Sequence, residues 1–481
     1  MTASATIRAA HFIDGRARDG DGASIDVLNP ATEQPLGSVP AGSRADAEEA
    51  VAAARRAFGE WAARPAAERA EIVRRIAEGI TARRDSLAEV ITADVGAPIT
   101  FATKVQASLP AATSKAVADL VTSGEFAFTE EIGNSLVERE PVGVVAAITP
   151  WNYPMHQIMA KLAPALVTGC TVVLKPSEVA PLCTDQLVEV LTEAGVPPGV
   201  VNIVHGTGDE VGAALAAHAD VDMVSFTGST RGGRAVSAAA ADTVKRVTLE
   251  LGGKSANVIL GDADLTKAVK LGVANAFLNG GQSCNAWTRM LVPRSQHDDA
   301  VTLACEAAAK YQPADPADEG TRLGPMVSEL QRDTVVGYIR SGVEAGARLA
   351  YGGPEKPDGH DTGYFVRPTV FADVTPEMTI AKDEIFGPVL SVMPYDDTGG
   401  TDDDAVRIAN GTVYGLAGAV FSASDERALS VARRMRTGQV DINGASFNPK
   451  APFGGYKQSG NGREFGSYGI EEFCEIKSIQ R

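Results

Sequence analysis

Between residues 142 and 253 the chain alternates short apolar runs with helical patterns. Runs at 142–148, 171–174, 200–204 and 223–226 are rich in Val, Ile and Ala, and amphipathic stretches at 184–194 and 210–218 separate them. Strand-sized apolar runs alternating with helix-sized segments predict βαβ units in a parallel sheet. Upstream, residues 43–96 read as helix, opened by Ser43 and Asp46 in capping-box spacing and continued by Ala, Glu and Arg. Residues 125–140 break into short β-prone pieces that predict a hairpin outside the main sheet, and the strand-like GluIleLysSerIle near the C-terminus predicts its pairing partner. A second α/β pattern fills 251–440. The expected fold class is α/β: a Rossmann-type cofactor domain (1–124 and 142–250), a second α/β catalytic domain (251–440), a segment returning to the first (441–464), and a small β oligomerisation element (125–141 and 465–481).

Composition changes this picture by exclusion. With 481 residues, 44% of them hydrophobic and 22% charged, the chain has the make-up of a globular protein large enough for about three domain-sized units. Its formal net charge of -17 opposes a nucleic-acid or anionic membrane partner. The opening MetThrAlaSerAla segment lacks the apolar core of a secretory signal and no later run spans a bilayer, so a cytoplasmic location is expected. Five cysteines, odd in number and without paired spacing, predict reduced thiols rather than a disulfide framework or a metal site. The dispersed histidines add no metal cluster and no Cys/His hydrolase pairing.

Each apolar run ends in residues able to do chemistry. ProTrpAsnTyrPro starts at Pro150, LysProSerGlu at Lys175, HisGlyThrGly at His205 and ThrGlySerThr at Thr227. In a doubly wound sheet these endings converge on the ligand crevice. Gly228 to Gly233 follows a strand and opens a helix, as a phosphate-binding turn does, although the spacing is not GxGxxG and a tight turn is the plain alternative. Lys175 can hold phosphate or ribose oxygen, and Glu178 can accept from vicinal ribose hydroxyls while repelling a 2'-phosphate. NAD is therefore expected over NADP.

Three separated segments complete the set: Asn152 in its Pro-flanked turn, GluLeuGlyGlyLysSer from Glu250, and AsnGlyGlyGlnSerCysAsn ending at Asn285 and holding Cys284. From about residue 25 to the C-terminus the sequence resembles the aldehyde dehydrogenase superfamily. The resemblance implies that Cys284 is the nucleophile, Glu250 the general base, and the Asn152 amide a donor to the oxyanion. Lys161 and Glu464 then resemble members of a proton path, with a plain salt bridge as the alternative. Around NAD the resemblance places Thr149, Trp151, Lys175, Ser177 and Glu178 from the first strand endings, Gly208, Gly228, Ser229, Gly233 and Leu251 from the later ones, and Glu384 and Phe386 from GluIlePheGlyProVal. It assigns the aldehyde tunnel to Tyr153, His156, Gln157, Ala160 and Leu278, together with Ser283, Asn285, Phe447 and Phe453. Ala160 is small where many relatives carry a bulky aromatic, which predicts a wider entrance; Trp287 is unusual and predicts a narrowing elsewhere.

The implied activity is oxidation of an aldehyde to a carboxylic acid with reduction of NAD, by way of a cysteine thiohemiacetal and thioester. No Arg or Lys falls on the tunnel positions, so a neutral aldehyde is expected over a semialdehyde acid. A CoA-acylating relative is the nearest alternative, disfavoured by Glu250; a thiol hydrolase or a silent structural relative fits less well. The strand edges at 125–141 and 465–481 predict a homodimer or homotetramer.

Overall fold

A computed structural model describes residues 7–20 and 23–481; the first six residues assigned above to the cofactor unit lie outside the described ones. The capping box at Ser43 forms, with Ser43 N–H on Asp46 at 2.8 Å and Asp46 N–H on the Ser43 hydroxyl at 3.3 Å. The segment is not one helix but three, Arg44–Ala62, Ala66–Ala82 and Arg84–Val95. Pro65 is the cause of the first break. It lacks the N–H a continuing helix would donate, and it serves instead as the cap of the second helix.

The predicted parallel strands form the centre of an eight-stranded sheet. Its order is Gly460–Asn461, Arg246–Glu250, Met223–Thr227, Val144–Ile148, Thr171–Lys175, Val201–Ile203, His11–Ile13 and Arg16–Arg18. The five central strands run parallel. Chain order reverses between Val144–Ile148 and Met223–Thr227, so the ligand crevice of a doubly wound sheet opens where residues 149–153 and 228–230 leave these strands. Helix Pro154–Thr168 descends from that point with every residue buried, which is why Lys161 and His156 enter the interior.

A seven-stranded sheet, ordered Arg348–Tyr351, Thr369–Ala372, Val389–Tyr395, Arg289–Pro293, Ala256–Ile259, Gly418–Phe421 and Asp441–Ile442, carries the second half. Asp441–Ile442 belongs to this sheet, so the chain does not return at 441 as expected. It rejoins the first sheet only at Gly460–Asn461, antiparallel to Arg246–Glu250. The expected pairing of hairpin and tail is present: Cys474–Gln480 lies antiparallel to Ser135–Pro141, which pairs with Thr129–Ile132. Residues 465–473 are not strand, however; Gly466–Glu471 is helix, and Ile470 and Phe473 pack into the first core. A small sheet of Ile7–Arg8, Pro35–Pro40 and Ser24–Leu28 went unforeseen. Among the described residues, no helix is long and apolar enough to cross a membrane.

Candidate active site

Cys284 is delivered by a backbone fold that its neighbours dictate. Asn279, Gly280 and Gly281 all have left-handed backbone, with φ of 53°, 66° and 73°. At Gly281 a side chain is impossible, since an added Cβ would lie 2.1 Å from the Gly387 carbonyl. Asn279 tolerates its conformation because its side chain is fully employed. It donates to the backbone carbonyls of Asn152 at 2.9 Å and Gln282 at 3.3 Å, and its amide oxygen accepts from Gln106 at 3.0 Å. The Asn152 amide in turn donates to the Gln282 carbonyl at 2.9 Å. The donor expected for an oxyanion is thus held on the same turn that presents the thiol. Asn279 and Gln106 were missed in the sequence, although AsnGlyGly is itself a signature of left-handed backbone.

Cys284 is half-buried. Burial and then the charges of Glu384, Glu250 and Glu464 push its thiol upward, against the backbone N–H of Asn285. A thiol so placed stays protonated until a positive charge or a base arrives beside it. Glu250 is buried at 6% exposure, with neither carboxyl oxygen hydrogen-bonded among the described residues. Burial first, and Glu464 second, hold its carboxyl well above the ordinary range, while Lys161 and Arg463 pull it down. Lys161, itself buried, donates to Glu464 at 2.9 Å across 303 positions of sequence. Ala160 is buried and lines the small cavity containing Lys161, Glu250 and Glu464. Its missing bulk leaves room beside the carboxylates.

The crevice side holds the other candidates. The buried Lys175 donates to Glu178 at 2.7 Å and to the Pro176 carbonyl at 2.8 Å. Burial opposes the charge on Glu178, but Lys175 and the Gly208 N–H outweigh it and its carboxyl sits low. Thr149 donates its N–H to the Lys175 carbonyl, and the Ser177 hydroxyl accepts from Val179. Ser229 caps helix Thr230–Ala240 by accepting from Gly232 at 3.1 Å. The Gly228 N–H meets the Glu250 carbonyl, and the Leu251 side chain fills the space against Gly233. Trp151 meets Phe386 edge to face at 5.3 Å. Glu384 accepts from Gly253 N–H at 3.1 Å, and an added Cβ at Gly252 would lie 1.9 Å from its second oxygen. Burial pushes Glu384 up to about 7. Burial, aided by Arg289, pushes the neighbouring Lys254, unforeseen in the sequence, down to about 7.

The tunnel candidates form an aromatic group. His156 stacks on Phe465 at 5.4 Å, and Phe447 and Phe453 contact Phe465 at 5.7 and 6.0 Å. Phe465 was missed, and its own φ of 66° turns it inward. Phe453 exchanges both backbone hydrogen bonds with Glu464. The Tyr153 hydroxyl lies 2.7 Å from Ser283. Gln157 is buried beside His156 on the same helix, and Leu278 is exposed. Trp287 corrects an expectation: it is buried in the core of the second sheet, edge-on to Phe421 at 6.1 Å, and narrows no tunnel.

Comparisons with known proteins agree with this geometry. The aldehyde dehydrogenase family model matches residues 17–479. A 3-succinoylsemialdehyde-pyridine dehydrogenase from a Pseudomonas species is 49% identical over 473 residues, 97% of each chain. A cysteine-to-alanine mutant of aldehyde dehydrogenase C from Pseudomonas syringae, solved with NAD+ and octanal, superposes with a TM-score of 0.96 at 49% identity, over 98% of this chain and 96% of that one. A Mycobacterium tuberculosis aldehyde dehydrogenase complexed with NAD+ gives 0.95 at 42% identity, over 99% of both. With the thiol turn, the buried carboxylate and the doubly wound crevice in one molecule, the chain belongs to the aldehyde dehydrogenase family.

Proposed function

We propose that this chain oxidises a neutral aldehyde to its carboxylic acid with NAD, through a thiohemiacetal and then a thioester on Cys284. The observation that carries the reading is the buried, unpartnered Glu250 carboxyl within electrostatic reach of the Cys284 thiol. The crevice chemistry suits the dinucleotide. Lys175 and Glu178 offer a cation and a carboxylate for the adenosine ribose, the capped start of helix Thr230–Ala240 offers N–H groups to phosphate, and Gly208 faces open space, so backbone can be approached closely. Glu384 would hold the nicotinamide ribose. NAD so held supplies the hydride acceptor. The first sheet then forms the cofactor unit and the second the catalytic one.

Cys284, once deprotonated, attacks the carbonyl carbon. The developing oxyanion is met by the Asn152 amide and the Cys284 backbone N–H, which act where charge appears. After hydride loss, Glu250 takes a proton from the water that attacks the thioester, and the carbon–sulfur bond breaks to release the acid. Phe447, Phe453 and Phe465 give the substrate side an apolar, aromatic character that favours aliphatic or aromatic aldehydes. The P. syringae relative's octanal complex and the pyridine-bearing substrate name of the Pseudomonas relative support this. We further propose a cytoplasmic homodimer or homotetramer. Ile132 and Ile476 expose 56% and 60% of their surface on the outer three-stranded sheet, whose strand edges are suited to pairing with a second copy.

Following NADH formation with an aldehyde panel, with and without CoA, tests the reading. NADH without CoA, abolished in Cys284→Ala, is expected, with hexanal preferred over succinic semialdehyde. NADH formation by Cys284→Ala overturns the mechanism, and strict dependence on CoA overturns the hydrolytic assignment.

A further inference from the structure

Hydrolysis leaves a proton in an awkward place. As water's oxygen bonds to the thioester carbon, the electron pair of the breaking bond stays on sulfur and the water's proton passes to Glu250. That proton must reach solvent before the next turnover, while the acyl group and cofactor occupy the front of the site. Behind Glu250 lies a cavity of about 10 Å³, close to the room one water needs, whose walls include Lys161, Ser225, Thr248 and Glu464. A surface pocket of about 380 Å³ lies on the other side, bordered by Arg246, Tyr468, Glu471 and Glu475. Arg463 and Glu472 line both.

Of these two shared residues, Arg463 is fixed and permanently charged. It donates to the Gly455 carbonyl at 3.2 Å and lies 5.5 Å over the Tyr456 ring. A guanidinium stays protonated at working pH and so cannot act as a stop on a proton path. Glu472 can, and one of its carboxyl oxygens is anchored by the Arg463 backbone N–H at 2.9 Å.

We propose that Glu472 is the outlet of the proton path, a positioning residue that receives the proton leaving Glu250 by way of cavity water and the Lys161–Glu464 pair and hands it to the outer pocket. This rests on the reading of Cys284 and Glu250 given above. Facing Glu472 from inside are Glu250, Lys161, Glu464 and Arg463; from outside, Arg246, Tyr468, Glu471 and Glu475. Burial raises the Glu472 carboxyl despite Arg463 and Arg246, so it holds a proton more readily than a surface glutamate. Its charge is also among those that raise Glu250.

The test is pre-steady-state NADH formation by the full-length protein with hexanal, comparing wild type, Glu472→Gln and Glu472→Asp. Gln keeps an acceptor for Arg463 N–H but carries no proton. The initial NADH burst is expected to persist while kcat falls about tenfold and its solvent deuterium isotope effect rises. Asp, or added imidazole, is expected to restore much of the rate. Ser225→Val adds bulk to another residue of the cavity wall and is expected to reproduce the slow phase with Glu472 itself unchanged. Unchanged kcat and isotope effect in Glu472→Gln and Ser225→Val, or a loss that neither Asp nor imidazole relieves, overturns the outlet. Absence of NADH from wild type would instead defeat the aldehyde reading beneath it.

Discussion

Glu250→Gln sets activity and stability against each other at a single carboxyl. In the folded protein this carboxyl is buried, unpartnered and held well above its ordinary range, chiefly by burial and by Glu464. A carboxyl raised on folding binds its proton more tightly folded than unfolded. Its stabilising contribution is whole below the unfolded value of about 4.3 and is lost as pH rises through the folded value. Toward about pH 9 the wild-type fold must either hold this buried carboxyl protonated against the pH or ionise it without a partner, at a cost of roughly 3 kcal/mol. Gln has nearly the same shape as protonated Glu and no charge to desolvate. The difference in Tm between variant and wild type is expected to be small near pH 5 and to widen in favour of the variant by several degrees toward about pH 9. Activity moves the other way: the NADH burst with hexanal persists, while steady-state turnover falls about 10²- to 10⁴-fold for want of the base. Thermal melts across pH, paired with stopped-flow absorbance, read both. A Tm difference that is flat or shrinks with pH refutes the electrostatic argument, and full turnover in Gln refutes the assignment of the base.

Asn152→Ala removes an oxyanion donor and is expected to slow the burst by roughly 10²-fold, about 3 kcal/mol. Asn279→Ala leaves that donor but frees the turn holding it, and is expected to cost less, about tenfold; a larger loss than in Asn152→Ala, by the same stopped-flow measurement, contradicts this order. Glu178→Gln takes away the charge that opposes a 2'-phosphate, and the ratio of kcat/KM for NAD over NADP is expected to fall about tenfold. Lys161→Met strips Glu464 of its partner and removes a charge that lowers Glu250. The acid limb of the kcat profile is expected to move to higher pH, and chemical denaturation to show a loss of about 3 kcal/mol.

What could be read from the sequence followed how local its cause was. The parallel strands announce themselves by apolar runs, and their endings by residue type, so Lys175 and Glu178 could be singled out from chemistry at expected turns, and Ser229 through the family resemblance. Pro65, a local signal, was passed over in an otherwise helical stretch, and three helices stand where one was expected. Phe465 and Trp287 depended on packing that no neighbouring residue encodes. Phe465 is aimed by its own left-handed backbone and by His156, 309 positions away, while Trp287 is held by the core of its sheet.

The charged residues make the deeper point. Lys161, Lys175, Lys254, Glu250 and Glu384 would each be placed at the surface by composition alone, because ionised side chains are rarely buried. All are buried except Glu384, which is half-buried, and they gather around the thiol and the crevice. Their burial raises the free energy of the folded chain, and that same burial holds Glu250 and Glu384 high and Lys254 low. A base matched to near-neutral pH cannot be made from a solvated glutamate with a pKa of about 4.3. These positions, where hydrophobic patterning fails, are therefore ones where proton chemistry becomes possible, and all but Lys254 were pointed to in advance by motifs and strand endings spread along the whole chain.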